Sequence, residues 1–394
     1  MADNDVLITG IGIVSSLGEG TDAHWQALTA DAPSPVLDSE RFSPYTVHPL
    51  PEIDWNLQIP RRGDQRQMET WQRLGTYAAG LALDDAGVKG DEALCATMDM
   101  VVAAGGGERD VEVDQAILDA SLTRKDHGVL LNEKLTTELR PTLFLAQLSN
   151  LLAGNISIVH KVTGSSRTFM GEEGAGVCAV ETAAARIRAG QSSHVLVGAS
   201  FQTEHPDMLL AYELGGYLNR GAWKPVWLRE KAEGGGVVTG SGAAFLVLES
   251  RRHAETRGRE AYAAIDKVAS SRDRRKDGSL DRTVAEIMQS LPLPGGPLLT
   301  ISGASGAHAA TVAERAALDS RPELAVRGFS TMTGHLKEAQ FPFALALAAL
   351  AVHRKRAYPP FDETEKPLEG APEAALATTI GYNCFEGAGL VTRA

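Results

Sequence analysis

The sequence predicts an α/β protein in which short buried strands alternate with helices. Apolar, β-branched runs of strand length recur along the chain, beginning with Val6–Val14. Apolar residues at helical spacing recur between these runs, and the second half of the chain repeats the pattern of the first. This alternation is typical of sheets whose faces are covered by helices, so we expect two duplicated α/β halves.

The first half contains four predicted strands and two predicted long helices. The strands are Val6–Val14, Met98–Ala104, Val195–Gly198 and Ala244–Leu248. Apolar residues at three- and four-residue steps predict helices over Trp71–Ala82 and Glu173–Ala189, and Gly190 closes the second of these as its C-cap. Residues 32–62 are polar and contain several prolines, so loops are expected there.

A strongly charged stretch, Glu249–Glu260, predicts the boundary between the halves, which we place as 1–250 and 251–394. The later segments repeat the alternation, with strands over Leu298–Ile301, Leu376–Ile380 and Leu390–Val391 and helices over Thr311–Leu318 and Phe341–Arg354. The last helix is the most apolar stretch, and it is too short to cross a membrane.

Composition excludes several classes of function. The 394 residues carry a net charge of −12 and are 43% hydrophobic, which disfavours disorder and nucleic-acid binding. The three cysteines, Cys95, Cys178 and Cys384, form no disulfide framework, and the sequence has no C-x-x-C or H-E-x-x-H motif, so no metal site is expected. The polar, acidic first residues do not resemble a signal peptide and predict a cytoplasmic protein.

A glycine pair after the first strand, Gly10 and Gly12, raises the question of a dinucleotide site. The fingerprint of such sites requires a third glycine where Ser15 stands, and no acidic residue follows at the expected distance. We therefore expect no cofactor and assign these glycines to close packing of the chain against the sheet.

Three segments resemble the β-ketoacyl-acyl-carrier-protein synthases, the condensing enzymes of the thiolase fold. Ile8–Gly18 resembles the opening of these enzymes, Val312–Glu314 the helix after their first histidine motif, and Thr331–His335 their second histidine motif. The order and spacing of these landmarks cover essentially the whole chain. The resemblance implies a thiolase-like fold whose duplicated halves form α-β-α-β-α layers.

The same resemblance implies a decarboxylative Claisen condensation. In the family, a cysteine at a buried helix N-terminus takes the acyl chain as a thioester, beside an oxyanion hole of backbone N–H groups. Two histidines stabilise the enolate that decarboxylation of the malonyl thioester produces. The question is whether this chain retains these groups.

The cysteine position of the family corresponds to Glu173 in this sequence. Gly164 resembles the family's turn nine residues before the cysteine, and Gly190 its capping glycine seventeen residues after it. Both counts give Glu173. Cys178 is the alternative nucleophile, but it would lie more than one turn inside the helix, and a packed core thiol is the simpler interpretation.

The two histidine positions differ from each other in what they retain. His335 stands at the second, whereas Gly303 stands at the first and Ser330 replaces the family's lysine. His308 lies five residues beyond Gly303 and is expected to be a loop histidine. The glycine-rich loop near the C-terminus of the family is also altered here and contains Cys384.

A carboxylate at a helix N-terminus is electrostatically favourable, so Glu173 has a simple structural interpretation as the filler of an unused nucleophile pocket. It cannot form a stable acyl thioester. A malonyl decarboxylase would lean on both histidines, and a negative Glu173 disfavours the anionic malonyl group.

We therefore expect a non-catalytic subunit, similar to the chain-length factors, in bacterial fatty-acid, very-long-chain-acyl or polyketide synthesis. Two alternatives stay open: an active 3-oxoacyl synthase or malonyl decarboxylase using His335 and Cys178, and a module that binds acyl carrier protein. The expected partners are acyl carrier protein and a cysteine-bearing synthase subunit or a second copy, with no nucleic acid. Arg61–Arg62 and Arg272–Lys276 are either carrier-protein contacts or solvated loops. The strand His194–Gly198 is expected to pair across a dimer axis.

Overall fold

The computed structural model describes residues 2–141, 143–276 and 278–394. Its strands form an eleven-stranded sheet, in which β2 is a short addition paired with β1. The strands are β1 (Val6–Ser15), β2 (Gly18–Glu19), β3 (Asp99–Ala103), β4 (Ser166–Phe169), β5 (His194–Phe201), β6 (Gly242–Ser250), β7 (Ala263–Ser271), β8 (Leu298–Ser302), β9 (Leu324–Gly328), β10 (Ala374–Ile380) and β11 (Glu386–Thr392).

The sheet consists of two five-stranded parts with the same strand order. The order is β4-β3-β5-β6-β1 in the first part and β9-β8-β10-β11-β7 in the second. The strand directions correspond as well. The first three strands in each order, β4-β3-β5 and β9-β8-β10, run parallel to one another, whereas the fourth strands, β6 and β11, run antiparallel to both of their neighbours. An antiparallel pairing of β1 with β7 joins the two parts. The predicted α/β class with duplicated halves is confirmed.

The helices are α1 (Gly20–Leu28), α2 (Arg62–Gln67), α3 (Thr70–Asp85), α4 (Glu92–Thr97), α5 (Val111–Ser121), α6 (His127–Thr137), α7 (Leu143–Ala146), α8 (Leu151–His160), α9 (Glu173–Arg188), α10 (Pro206–Leu214), α11 (Arg251–Thr256), α12 (Ser279–Ser290), α13 (His308–Asp319), α14 (Ser330–Thr333) and α15 (Gln340–His353). Short 3-10 turns lie at Trp55–Leu57, Val226–Leu228 and Lys337–Ala339. Among the described helices, none is long and apolar enough to cross a membrane.

Two helices, α9 and α15, form the centre of the molecule. Their small and aliphatic side chains pack in one core with inward-facing residues from the strands of both halves. Helices α3 and α8 cover the outer face of the first half, and α12 and α13 that of the second. α15 is buried from Gln340 to Val352, which explains why its sequence shows no polar stripe. The layering therefore brings the N-terminal ends of two buried helices close to each other.

Most predicted elements are confirmed, whereas one expected pairing is wrong. Strand β5, which contains His194–Gly198, is hydrogen-bonded to β3 on one side and β6 on the other, so it has no free edge. The edge strand of the first half is β4, which sequence analysis did not identify because Ser166–Phe169 is short and polar. The boundary between residues 250 and 251 stays a prediction.

Candidate functional site

The first side chain of α9, Glu173, lies at the centre of the candidate site. The residue is fully buried, and its place in the first turn puts its carboxylate where the helix dipole favours negative charge. Two glycines allow other segments to approach this helix end. A Cβ atom at Gly174 would lie 2.4 Å from Cβ of Phe385, and one at Gly176 would lie 2.3 Å from the carbonyl oxygen of Glu338.

His335 is held by backbone pairing on the opposite side of the site. Its N–H donates to the carbonyl of Val238, and its own carbonyl accepts from Gly240. The preceding residue, Gly334, has a φ of 71°, which allows the chain to turn sharply out of α14. These contacts aim the imidazole at the start of α9.

Glu173 and His335 face each other at the centre of the site. His335 Nε2 lies 3.1 Å from Glu173 Oε1, although the ring is not aligned to donate a hydrogen bond to it. The same oxygen accepts a 3.1 Å hydrogen bond from the backbone N–H of Tyr382. Glu173 Oε2 and both ring nitrogens of His335 have no hydrogen-bond partner in the described part of the chain.

Tyrosine rings enclose this pair. Tyr382 packs at 4.9 Å from Tyr212 and at 4.7 Å from Tyr217, measured between ring centroids. The Tyr382 hydroxyl donates to Glu172, whose pKa is raised by burial. Burial and the surrounding phenol and carboxylates hold the pKa of Tyr212 well above its usual value. The carboxylates and phenols around this pair therefore make it unfavourable to add a further negative charge to the site.

Gln340, the first residue of α15, fills the space between two positions where the family's histidine and lysine are expected. Its Nε2 donates to the carbonyl of Gly303 at 3.0 Å and to the hydroxyl of Ser330 at 2.7 Å. Its Oε1 accepts from the backbone N–H of Leu336 at 2.6 Å. A Cβ atom at Gly303 would lie 2.7 Å from Oγ1 of Thr379 and 3.0 Å from Cγ of Gln340. No side chain fits at position 303 unless its neighbours move.

A buried ion pair, Lys337 with Glu338, lies beside this site. Lys337 Nζ is 3.6 Å from Glu338 Oε1, and the carboxylate raises the pKa of the lysine, while burial raises the pKa of Glu338. The two side chains line a cavity of about 20 Å³ together with Trp71 and Glu108, enough for one water molecule.

The remaining candidate residues lie apart from the Glu173–His335 pair. Cys178 lies more than one turn inside α9 and is partly exposed, and burial followed by Glu181 raises the pKa of its thiol. Burial and then Glu172 raise the pKa of Cys384. His308 is the first residue of α13 and lines a surface cleft of about 350 Å³, which Tyr382 also lines. Within the described residues, no group of three or more His, Cys, Asp or Glu side chains could hold a metal ion.

Sequence analysis placed Glu173, Gly303, Ser330 and His335 in this region, and the structure brings all four around the ends of α9 and α15. It missed Gln340 and Tyr212, and it noted the altered C-terminal loop without assigning a role to Tyr382 in it. The polar stretch Lys337–Gln340, directly ahead of a fully apolar helix, is the signal that could have identified Gln340. Tyr212 comes from a distant segment and carries no local signal.

The chain is similar to known proteins along much of its length. It is 25% identical over 271 residues to "3-oxoacyl-[acyl-carrier-protein] synthase 2" of Vibrio harveyi, an alignment covering 67% of this chain and 62% of that enzyme. It is 28% identical over 271 residues to "Tetracenomycin polyketide synthase ketoacyl synthase beta subunit" of Streptomyces glaucescens, again covering 67% of this chain and 62% of the relative. These matches span less than two thirds of either relative.

The fold is also that of solved ketosynthases. The structure of "The ishigamide ketosynthase/chain length factor" matches with a TM-score of 0.78 at 20% identity and covers 99% of both chains. The family model for the N-terminal domain of β-ketoacyl synthases matches residues 3–254, which is well over half of the sequence. The chain therefore belongs to the β-ketoacyl synthase family.

Proposed function

We propose that the chain is a non-catalytic subunit that pairs with a cysteine-bearing β-ketoacyl-acyl-carrier-protein synthase and shapes the pocket in which that partner extends acyl chains. The pathway is bacterial fatty-acid, very-long-chain-acyl or polyketide synthesis. The observation that carries the proposal is the carboxylate of Glu173 at the start of α9, facing His335 across 3.1 Å. A carboxylate does not store an acyl group as a thioester, so the first covalent step has no nucleophile there.

The two cysteines nearest this site do not compensate for the missing thiol. Nucleophilic cysteines have a lowered pKa because a cation or a helix N-terminus stabilises the thiolate. The pKa values of Cys178 and Cys384 are instead raised, in each case by burial and by a neighbouring carboxylate. Both thiols are therefore protonated near neutral pH.

Similarity to a polyketide "beta subunit" and to a ketosynthase/chain length factor supports the same proposal. The edge of the first half offers a surface for such a partner. Strand β4 has one unpaired side, and helix α8, which packs beside it, carries the exposed Ile158. Further large exposed apolar side chains lie at Leu118 on α5, at Leu122 directly after it and at Phe144 on α7. We infer that a cysteine-bearing synthase covers this edge.

Acyl carrier protein is the second proposed partner. The side chains of Arg272, Arg274 and Lys276 are exposed, and the guanidinium of Arg272 lies 5.1 Å from the ring centre of Phe385, which contacts the start of α9. Arg275 is already occupied by a 2.5 Å ion pair with Glu386. The exposed members of this group are the ones available to an acidic carrier protein.

Co-expression with a cysteine-bearing ketosynthase tests the pairing. We expect a heterodimer on size-exclusion chromatography, and condensation of acyl- and malonyl-carrier protein that depends on both chains. I158R, on helix α8 beside β4, should weaken the heterodimer, whereas L210R, at a similarly exposed apolar residue on α10, should not. Condensation by this chain alone would contradict the proposal.

A malonyl-carrier-protein decarboxylase is the second candidate, and one observation favours it. Neither ring nitrogen of His335 has a hydrogen-bond partner in the described residues, and neither does Oε2 of the adjacent Glu173. The carboxylates of Glu172, Glu173 and Glu338 oppose this candidate, because a further negative group would have to enter the same buried region. Loss of measured decarboxylation in H335A would favour this candidate, and absence of turnover in the unmodified protein would exclude it.

A further inference from the structure

Helices α5 and α6 are attached to the rest of the molecule through few buried side chains. The two helices pack on each other, and each buries a single residue, Val113 in α5 and Leu130 in α6. Large apolar side chains such as Leu118 and Val129 are exposed instead. A helix pair with so little buried apolar surface opens easily, so its attachment depends on the contacts at its ends.

The loop of residues 105–110, which leads into α5, is joined to the start of α10 by Asp207. The backbone N–H of Arg109 donates to Asp207 Oδ2 at 3.0 Å. The other carboxylate oxygen, Oδ1, forms a hydrogen bond with Nδ1 of His205. On its other side, His205 Nε2 lies 3.9 Å from Glu108 Oε2. The imidazole therefore lies between a carboxylate of α10 and a carboxylate of the loop.

Three carboxylates act on the His205 ring. Glu108 and Asp110 belong to the loop, and Asp207 belongs to the first turn of α10. The hydrogen bond with Asp207 raises the pKa of His205, and the charges of Glu108 and Asp110 add to this effect, while burial opposes it. The ring is therefore protonated more readily here than in water.

Other cations near this cluster are engaged by other groups. Two of them are paired with carboxylates outside it, Arg109 with Asp114 and Lys337 with Glu338. The charge of Arg73, on α3, acts on Glu108 but not through an ion pair within 4 Å. The positive charge of His205 therefore offsets carboxylates that these cations leave unbalanced.

The two protonation states of His205 hold the loop differently. In the protonated ring both nitrogens carry a proton, so the ring attracts Asp207 and Glu108 at the same time. In the neutral ring only one nitrogen carries a proton. With that proton kept on Nδ1 for Asp207, the lone pair of Nε2 faces the Glu108 carboxylate across 3.9 Å, and this contact is repulsive.

We propose that His205 is a pH-dependent latch that holds loop 105–110, and with it α5 and α6, against α10. The latch is closed when the ring is protonated and loosens when the ring is neutral. Because the pKa of His205 is raised in the closed state, the stabilising contribution is complete below the ordinary histidine pKa of about 6.5 and is lost as the pH rises through the higher value. The latch operates whether or not the chain is catalytic.

Hydrogen–deuterium exchange of the full chain at about pH 6 and about pH 9 tests the latch, after correction for the intrinsic pH dependence of exchange. The protection of amides in α5 and α6 should fall by about threefold or more over this range. Helix α12, a surface helix of the second half, is the reference and should change by less than about twofold. Equal changes in all three helices would overturn the proposal.

Two histidine variants separate the latch from general effects of pH. In H205Q the side chain stays neutral, so the protection of α5 and α6 should be low at both pH values and should not fall further. H127Q removes an exposed histidine at the start of α6 and should keep the fall of the unmodified protein. A fall of the same size in H205Q would refute the latch.

Titration of the His205 ring by NMR tests the same proposal without a comparison of stabilities. The ring signals, assigned by their loss in H205Q, should give a pKa above the ordinary value of about 6.5. D207N removes the charged partner of Nδ1 and should lower this pKa. A pKa of His205 at or below the ordinary value in the unmodified protein would overturn the proposal.

Discussion

The two central helices begin side by side, but their first residues behave differently. Gln340 at the start of α15 has all its partners: it donates to Gly303 and Ser330 and accepts from Leu336. Within the described residues, Glu173 at the start of α9 leaves one carboxylate oxygen unpartnered and faces His335, whose ring makes no aligned hydrogen bond.

The polar atoms of Gln340 are all used to hold the fold together, whereas Glu173 keeps a polar atom without a partner in the described residues. The amide of Gln340 holds three segments together through its hydrogen bonds with Gly303, Ser330 and Leu336. The start of α9 keeps the helix, the histidine loop and the close backbone contacts, with a different first side chain. If any chemistry survives in this chain, it belongs to the α9 end.

Removal of Gln340 should have the largest effect. Q340A leaves the N–H of Leu336 and the carbonyl of Gly303 buried without their partner and opens a cavity, so we expect a loss of about 3–4 kcal/mol in unfolding free energy. Urea denaturation measures it. Q67A, at an exposed residue of α2, is the control and should change stability by less than about 0.5 kcal/mol. A near-neutral Q340A would mean that the two helix ends do not differ as described.

The second prediction concerns a buried carboxyl behind Gly303. In the part of the chain that the structure describes, Glu314 accepts hydrogen bonds only from the hydroxyls of Ser302 and Thr378, and burial raises its pKa to about 7. Its folded pKa lies above the unfolded one, so its stabilising contribution is complete below about pH 4.3 and is lost as pH rises through 7.

E314Q stays neutral at all these pH values. Its free energy of unfolding should therefore rise relative to that of the unmodified protein by up to about 3 kcal/mol between pH 5 and pH 8. Urea denaturation at several pH values measures this difference.

E249Q, in the first half of the chain, provides the opposite case, a buried carboxyl whose pKa is lowered. Hydrogen bonds from His253 and Thr9 and the charge of Arg257 lower the pKa of Glu249 to about 2, so its contribution is present above about pH 4.3 and falls as pH drops toward 2. Parallel pH curves for E314Q and the unmodified protein would contradict the assignment.

At the α9 end, a smaller effect is expected. E173A removes the acceptor of the Tyr382 N–H and should cost about 1–2 kcal/mol. E173Q keeps the acceptor and loses only the charge, so a change below about 1 kcal/mol is expected from the helix dipole. Equal losses of stability in E173A and E173Q would show that the charge of Glu173, rather than its hydrogen bond with Tyr382, stabilises the start of α9.

The smallest effect should come from Y382F. It removes one hydroxyl that donates to Glu172 and leaves the ring packing intact, so we expect a loss of about 0.5–1.5 kcal/mol. Thermal unfolding measures it, with Y45F as the control at a partly exposed tyrosine. A loss of several kcal/mol would contradict this prediction and would mean that the Tyr382 hydroxyl is the main contact that stabilises the start of α9.

The sequence predicted the scaffold well because buried strands and central helices have strong patterns. Val6–Val14 contains one polar side chain, Thr9, and Phe341–Arg354 is apolar up to Val352, and both are confirmed as β1 and α15. The edge strand β4 and the helices α5 to α7 were missed, because their exposed positions carry no consistent periodicity.

The site was predictable only in part. Glu173 and His335 could be placed because each stands at a fixed position in a motif, but their 3.1 Å contact depends on the fold. Gln340 stands out locally as a polar residue ahead of an apolar helix, but its role could not be assigned because its partner Gly303 lies 37 residues away in sequence, and this bridge exists only once β8 and α15 pack together.

The central claim is that this chain carries no acyl group. Intact-protein mass spectrometry after incubation with acyl- and malonyl-carrier protein, with and without a cysteine-bearing synthase, tests it most directly. The account predicts no adduct on this chain in either case and an acyl adduct on the cysteine of the synthase. An acyl adduct mapped to Cys178, Cys384 or Glu173 of this chain would contradict it.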